Sequence, residues 1–265
     1  MSLQAPPAIE FIGVDKRFRV KGSDTELLAA TQVSFTVTEG EVVSLIGPSG
    51  CGKSTLLNLG SGLAQPSAGT VRVAGSVVRG PNPNVAFMLQ KDLLMPWRTI
   101  SRNIEFGLEL RGVAPARRRD ISEQLLRQCR LEGFGAHYPN QLSGGMRQRA
   151  ALARTLAVDP LVLLMDEPFS ALDAQTKMVL QQDLARTVAE QRKTVLFITH
   201  DLAEAVALSD RILVMSERPG TIASQIVVNL PDRDNPMARR RHPALTGHVN
   251  HLMSLLKLDA GAELH

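Results

Sequence analysis

The sequence predicts an α/β chain: a mostly parallel sheet, an antiparallel β segment ahead of it and a helical segment set into it. Three observations carry this expectation. Near-continuous apolar runs end in polar turns ("EVVSLIGPSG", "LVLLMDEP", "TVLFITHD", "RILVMSE") and read as strands buried on both faces. Helical patterns at Lys53 to Leu59 and Lys177 to Gln191 alternate with them, as α/β domains require. The stretch from about Lys91 to Val158 is mostly helical and interrupts the strand series.

Taken in order, "IEFIGV" and "VSFTV" flank the polar stretch "VKGSDTE" between Pro7 and Val37 and read as strands of an antiparallel side sheet. After Glu217, "RPG", "LPDRDNP" and "RRRHP" mark a Pro- and Arg-rich connector whose Arg239, Arg240 and Arg241 solvate a linker or touch anionic lipid. Leu245, Val249, Leu252 and Leu256 then recur at helical spacing, which predicts a short amphipathic helix. The expected organisation is one domain over 1–265. Its core is 7–90 with 159–218, its helical subdomain 91–158 and its tail 219–265.

Composition narrows the class without naming a function. Apolar residues at 44% and charged residues at 21% suit a globular core rather than a disordered chain. A net charge of +4 permits an acidic partner but selects none. Cys51 and Cys129 are the only cysteines, so a reducing compartment is expected and no disulfide framework. "MSLQAPPAIEF" lacks the basic start and apolar stretch of a secretory signal, and no apolar run reaches the ~18 residues of a membrane span.

The chemistry starts at "GPSGCGKST", which follows a strand and opens a helix, the context that the pattern G-x-x-x-x-G-K-[ST] needs. Gly47, Gly50 and Gly52 let the backbone turn tightly, so that with Pro48, Ser49, Cys51 and Thr55 it aims N–H groups at phosphate. Lys53 can reach β and γ phosphates, and Ser54 offers a hydroxyl to Mg2+. Cys51 is expected as a small filler of the loop.

"LVLLMDEP" delivers two carboxylates at a strand end, where ligands bind in open α/β sheets. Asp166 would hold Mg2+ through water, and Glu167 would act as general base on the attacking water. His200 ends "TVLFIT" at the same sheet edge, placed for a γ-phosphate contact. Asp201 and Glu204 make a capping box for the next helix.

"LSGGMRQR" adds a second Ser-Gly-Gly. Ser143 reads as the N-cap of a helix whose buried stripe holds Met146, Ala150, Ala153 and Ala157. Gly144 and Gly145 leave the first-turn N–H groups open to an anion, a second phosphate receptor.

Phosphate loop, Gln90, "LSGGMRQR", "LVLLMDEP", "SALD" and His200 stand in an order and spacing that resemble the nucleotide-binding subunits of ABC transporters, over about residues 8 to 220. The resemblance implies a P-loop NTPase (RecA-like) parallel core with the antiparallel and helical subdomains already expected. It also implies a Mg-dependent ATPase coupled to transport, with ATP and Mg2+ as ligands. Gln90 matches the glutamine that senses Mg2+, Phe18 the aromatic that stacks on adenine, and Asp173 the loop that crosses the dimer seam. Ser143, Gly144, Gly145 and Gln148 would meet the nucleotide of a second, head-to-tail copy.

"KDLLMPWRTISRNIEFGLELRG" follows Gln90 and is similar to a stretch in the nitrate, sulfonate and taurine importer group. Leu93, Leu94, Met95, Pro96 and Trp97 read as lobe core, as a docking surface for a permease helix, or as both. The implied setting is the cytoplasmic face of a membrane, held through that permease, with a periplasmic or surface binding protein acting indirectly and no nucleic acid. Import of a thiamine precursor or other heterocycle, export of lipid or lipoprotein, and a soluble ABC ATPase on nucleic acid stay open as alternatives. His242, His248 and His251 lack accompanying Cys or carboxylate, so no metal site is expected there.

Overall fold

In the computed structural model, which describes residues 7–257 except 20, 21, 23, 24 and 171, two long strands open the chain. β1 (Pro7–Arg19) and β2 (Glu26–Thr38) pair antiparallel, with Phe18 opposite Leu27. β3 (Val42–Ile46) is buried along its whole length and feeds the phosphate loop and α1 (Lys53–Ser61). β4 (Ala68–Val73) and β5 (Ser76–Val77) complete a four-stranded antiparallel sheet of order β2-β1-β4-β5. β6 (Val85–Met88) precedes the helical stretch: α2 (Ile100–Leu110), α3 (Pro115–Gln128), a 3-10 turn at Pro139–Gln141 and α4 (Gly144–Ala157).

β7 (Val162–Asp166), α5 (Ala174–Glu190), β8 (Thr194–Ile198), α6 (Leu202–Leu208) and β9 (Arg211–Met215) return the chain to the parallel sheet. β10 (Ile222–Val227), α7 (Pro236–Arg241) and α8 (Ala244–Leu255) follow. The second sheet has the order β10-β9-β3-β8-β7-β6; β9, β3, β8, β7 and β6 run parallel, and β10 is antiparallel to β9. Residues 1–6 and 258–265, the ends of the expected 1–265 span, lie outside the described residues, as do 20, 21, 23 and 24 of the polar stretch and Ala171 of "SALD".

Burial explains the apolar strands. Ile9, Phe11, Leu45, Leu56, Leu57 and Leu164 pack between the two sheets, with Phe11 stacked on Phe35 at 4.5 Å. Ile100, Ile104, Leu131, Ala150, Leu163 and Phe197 pack the helical segment on the other face. Each fully buried aliphatic side chain contributes about 1.5–3 kcal/mol, so both faces of the central sheet are fixed by their cores. Ala150, Ala153 and Ala157 lie on the buried face of α4 and Met146 is partly buried beside it. Among the described residues no helix is long and apolar enough to cross a membrane.

Three expectations need correction. The helix expected from Lys177 begins at Ala174, because Asp173 Oδ1 accepts the Thr176 N–H at 2.9 Å and caps it there. At α6 only half of the capping box forms: Asp201 Oδ1 accepts the Glu204 N–H at 3.0 Å, while the Glu204 carboxylate turns inward to Lys177 and Gln181. The connector after Glu217 contains an edge strand and two helices. Arg239, read as a solvated or lipid-facing residue, is 3% exposed, and its guanidinium donates to the carbonyls of Pro231, Ser209 and Leu230, each at 2.8 Å. Leu245, Val249, Leu252 and Leu256 of the last helix share the face that packs on Val206, Val214 and Val228.

Candidate nucleotide site

The C-terminal ends of β3, β7 and β8 meet at one edge of the parallel sheet and carry the phosphate loop, Asp166 with Glu167, and His200. Gly52 caps α1 with φ 104°, and a Cβ there would stand 2.9 Å from the Ala29 carbonyl oxygen, so glycine is required twice over. No side chain caps α1, which leaves its first-turn N–H groups turned to the cavity. That open, positively polarised helix end fits phosphate. Lys53 Nζ rests on the loop's own carbonyls, 2.7 Å from Gly47 O and 2.8 Å from Pro48 O. Cys51 is buried beneath the loop, which fits its expected role as filler.

A cavity of about 490 Å³ opens over this loop, a volume in the range of small-molecule sites. Phe18, Leu27 and Ala29 form an apolar part of its wall; Lys53, Ser54, Glu167 and His200 supply polar groups. Phe18 is therefore not core. Phe18 is 43% exposed, with Lys16 Nζ over its ring at 5.1 Å from the centroid.

Burial raises the pKa of Asp166 above the usual carboxylate value; a hydrogen bond from Ser54 opposes the rise, and the charge of Glu167 adds to it. A partly buried carboxylate beside a hydroxyl, both hard oxygen donors, fits a Mg2+ site. Glu167 adopts a left-handed backbone with φ 47°, costly for a branched-chain-free but bulky residue and a mark of local strain. Its Oε2 is met by Gln90 Nε2 at 3.1 Å and by His200 Nδ1 at 3.3 Å. Two sequence-distant side chains thus converge on one carboxylate.

The Ser143 region lies elsewhere. Ser143 caps α4, its hydroxyl accepting the Met146 N–H at 3.3 Å, and both Ser143 and Gly144 are exposed. Ser143 and Gly145 do not line the phosphate-loop cavity; Gly144 borders a neighbouring hollow shared with Gln90, Glu167 and His200. Asp173 is exposed at the start of α5. Gln148 departs from expectation: it is 4% exposed and donates to the Pro168 carbonyl at 2.9 Å, so it braces the turn after Glu167 instead of facing another chain.

The apolar run after Gln90 divides. Leu94 is buried in the helical core, whereas Leu93 and Trp97 are exposed, Trp97 by 74%. Sequence reasoning missed Arg218, which lines the cavity and donates to the Gly50 carbonyl from Nη2 at 2.8 Å and Nε at 3.1 Å. Arg218, the first residue of "RPG", read as part of the connector; only the return of β9 to the loop brings it there.

The sequence model of the ABC transporter family matches residues 30–170. An uncharacterized ABC transporter ATP-binding protein of Methanocaldococcus jannaschii is 46% identical over 215 residues, 81% of this chain and 80% of its own length. The nitrate import ATP-binding protein of Synechocystis is 42% identical over 241 residues (89% and 91%), and the taurine import ATP-binding protein of Yersinia pestis 43% over 205 (77% and 80%). Among solved structures, a dimeric post-hydrolysis state of an ATP-binding cassette bound to ADP and Pi superposes with a TM-score of 0.76 at 31% identity, covering 84% of this chain and 99% of that one.

Proposed function

The chain belongs to the ABC transporter family, and we propose that it is the Mg-dependent ATPase subunit of an importer for nitrate, taurine or a related small anion. The observation that carries the catalytic part is the meeting of Gln90 and His200 on Glu167 at the mouth of the phosphate-loop cavity.

In this reading ATP lies with adenine on Phe18 and its phosphates over the α1 N-terminus. Lys53 leaves the Gly47 and Pro48 carbonyls for the β and γ phosphates, which are stronger acceptors. Ser54, Asp166 and the side-chain oxygen of Gln90 would hold Mg2+, which offsets the charge on the phosphate oxygens. Glu167 takes a proton from water as the water oxygen bonds to the γ-phosphorus. The bond from that phosphorus to the β-γ bridging oxygen breaks, and ADP leaves with the electron pair. His200 holds the γ-phosphoryl oxygens while Gln90 and His200 keep the base in line.

The same reading gives Ser143, Gly144 and Gly145 to the γ-phosphate of a second copy, with Asp173 at the seam. The exposure of Ser143 and Gly144, away from their own phosphate loop, supports this. Loss of the γ-phosphate removes the bridge and lets the pair open. Leu93 and Trp97 are the docking surface for a permease subunit, which would place the chain on the cytoplasmic face of the membrane. Cargo choice then belongs to the permease and its binding protein.

Two measurements test the proposal. Purified protein with Mg2+ and ATP should release phosphate; a protein that binds ATP without turnover contradicts the enzyme reading. Deleting the coding region from its host should abolish growth on nitrate, taurine or another sulfonate as sole nitrogen or sulfur source. Unchanged growth on all of them would reject the cargo class.

A further inference from the structure

His200 is held almost entirely through its backbone neighbours. Its side chain is 68% exposed and its one polar contact among the described residues is Glu167. Asp201, next in sequence, is fixed three ways: its N–H donates to Thr199 Oγ1 at 3.1 Å, its Oδ1 accepts the Glu204 N–H at 3.0 Å, and its Oδ2 lies 2.8 Å from Lys177 Nζ.

Lys177 comes from α5, one turn after its cap. The Lys177 N–H bonds back to the Asp173 carbonyl at 2.9 Å, and Nζ bridges Asp201 and Glu204, the second at 2.7 Å. Glu204 is 2% exposed and accepts Gln181 Nε2 at 2.8 Å, and Gln181 Oε1 accepts Arg240 Nη2 at 3.0 Å. A polar chain therefore runs from the exposed start of α5 to the residue beside His200, and is anchored at its far end in α7.

Polar chains of this kind, partly buried at Lys177 and Asp201 and buried at Glu204 and Gln181, add little net stability over apolar packing, but they fix one arrangement of the elements that they join. Here the joined elements are the α5 N-terminus and the end of β8. We propose that Lys177 is a positioning residue for His200: movement of the Asp173 turn, as a second copy closes on it, passes through Lys177 and Asp201 to the imidazole. Arg240 and Gln181 hold the same chain from the tail. This rests on the ATPase reading above.

The test is steady-state ATP hydrolysis by the full chain for Lys177→Met, Lys177→Arg, Arg240→Ala, His200→Ala and the double variant of Lys177→Met with His200→Ala. Lys177→Met should lower kcat by about tenfold with KM within about twofold, and Lys177→Arg should recover most of the loss. In the His200→Ala background Lys177→Met should change kcat by less than about twofold, since both act through one group. Losses that multiply in the double variant, or a wild-type kcat in Lys177→Met, overturn the proposal.

Should Lys177→Met fail to fold, Arg240→Ala carries the test, because it removes one bond at the half-buried end of the chain. It should lower kcat about threefold in the wild-type background and not in His200→Ala; no effect in either refutes the coupling. The two levels separate cleanly. Absence of phosphate release by the unaltered chain sinks the ATPase reading itself, whereas turnover by the unaltered chain that is lost in His200→Ala but normal in Lys177→Met and Arg240→Ala sinks the coupling alone.

Discussion

Glu167 Oε2 lies 3.3 Å from His200 Nδ1, although 32 residues and an entire helix, α5, separate the two along the chain. The contact joins the ends of adjacent parallel strands β7 and β8, whose register sets Asp166 opposite Ile198. It places the carboxylate proposed above as the general base beside the imidazole proposed to hold the γ-phosphoryl oxygens.

Glu167→Gln keeps the side chain's shape and its place between Gln90 and His200 but removes its basicity. Turnover should fall by about 10²–10⁴ while ATP affinity stays within a few-fold. Phosphate release and a nucleotide-binding titration measure the two sides; turnover near wild type would remove Glu167 from the role of base.

Asp166→Asn should divide stability from function. An acid whose folded pKa is raised favours its protonated form in the fold, so its carboxylate opposes folding increasingly as pH rises above the ordinary value near 3.8. A neutral amide relieves that at pH 7 and costs the Mg2+ ligand. The nucleotide-free urea midpoint should rise while hydrolysis is lost, the exchange expected of a strained functional group. A lower midpoint at pH 7 would contradict it.

Gly52→Ala should harm folding and binding together. A left-handed φ costs a residue with a Cβ about 1–2 kcal/mol, and the Ala29 carbonyl 2.9 Å away adds a clash. Thermal unfolding should drop by several degrees and ATP affinity by tenfold or so. Gly75→Ala, whose added Cβ meets nothing within 4 Å, isolates the backbone term.

Arg239→Ala removes a buried cation that serves three carbonyls. Those oxygens would be left short of donors, at a cost of about 2 kcal/mol or more. The melting temperature should fall by several degrees with KM for ATP unchanged, as befits a residue that does not line the cavity; an unaltered melting temperature would contradict its structural role.

What the sequence made legible were residues contiguous in the chain. A phosphate loop is nine successive residues after a strand, and its chemistry needs no tertiary partner to be recognised. Asp166, Glu167 and His200 were readable because an apolar run ends in a polar group at each. Arg239 was misread for the opposite reason: a polar side chain in a polar stretch looks solvated until the carbonyls that bury it, at Ser209 and Pro231, arrive from elsewhere, while Gln148, named through the resemblance alone, has its burial against the Pro168 carbonyl set by a residue 20 positions on. Arg218 was missed because its partner, the Gly50 carbonyl, is 168 residues away in sequence. The β10 strand hid between two turn-forming clusters.

The central claim is that one chain holds only half of each working site, and mixing two dead variants tests it most directly. Lys53→Ala disables the phosphate loop and Ser143→Arg blocks the half-site offered to a partner; neither protein should hydrolyse ATP alone. Mixed in equal amounts they should recover hydrolysis, because a pair with one of each keeps one intact loop facing one intact Ser143. A mixture as inactive as its components would contradict the account.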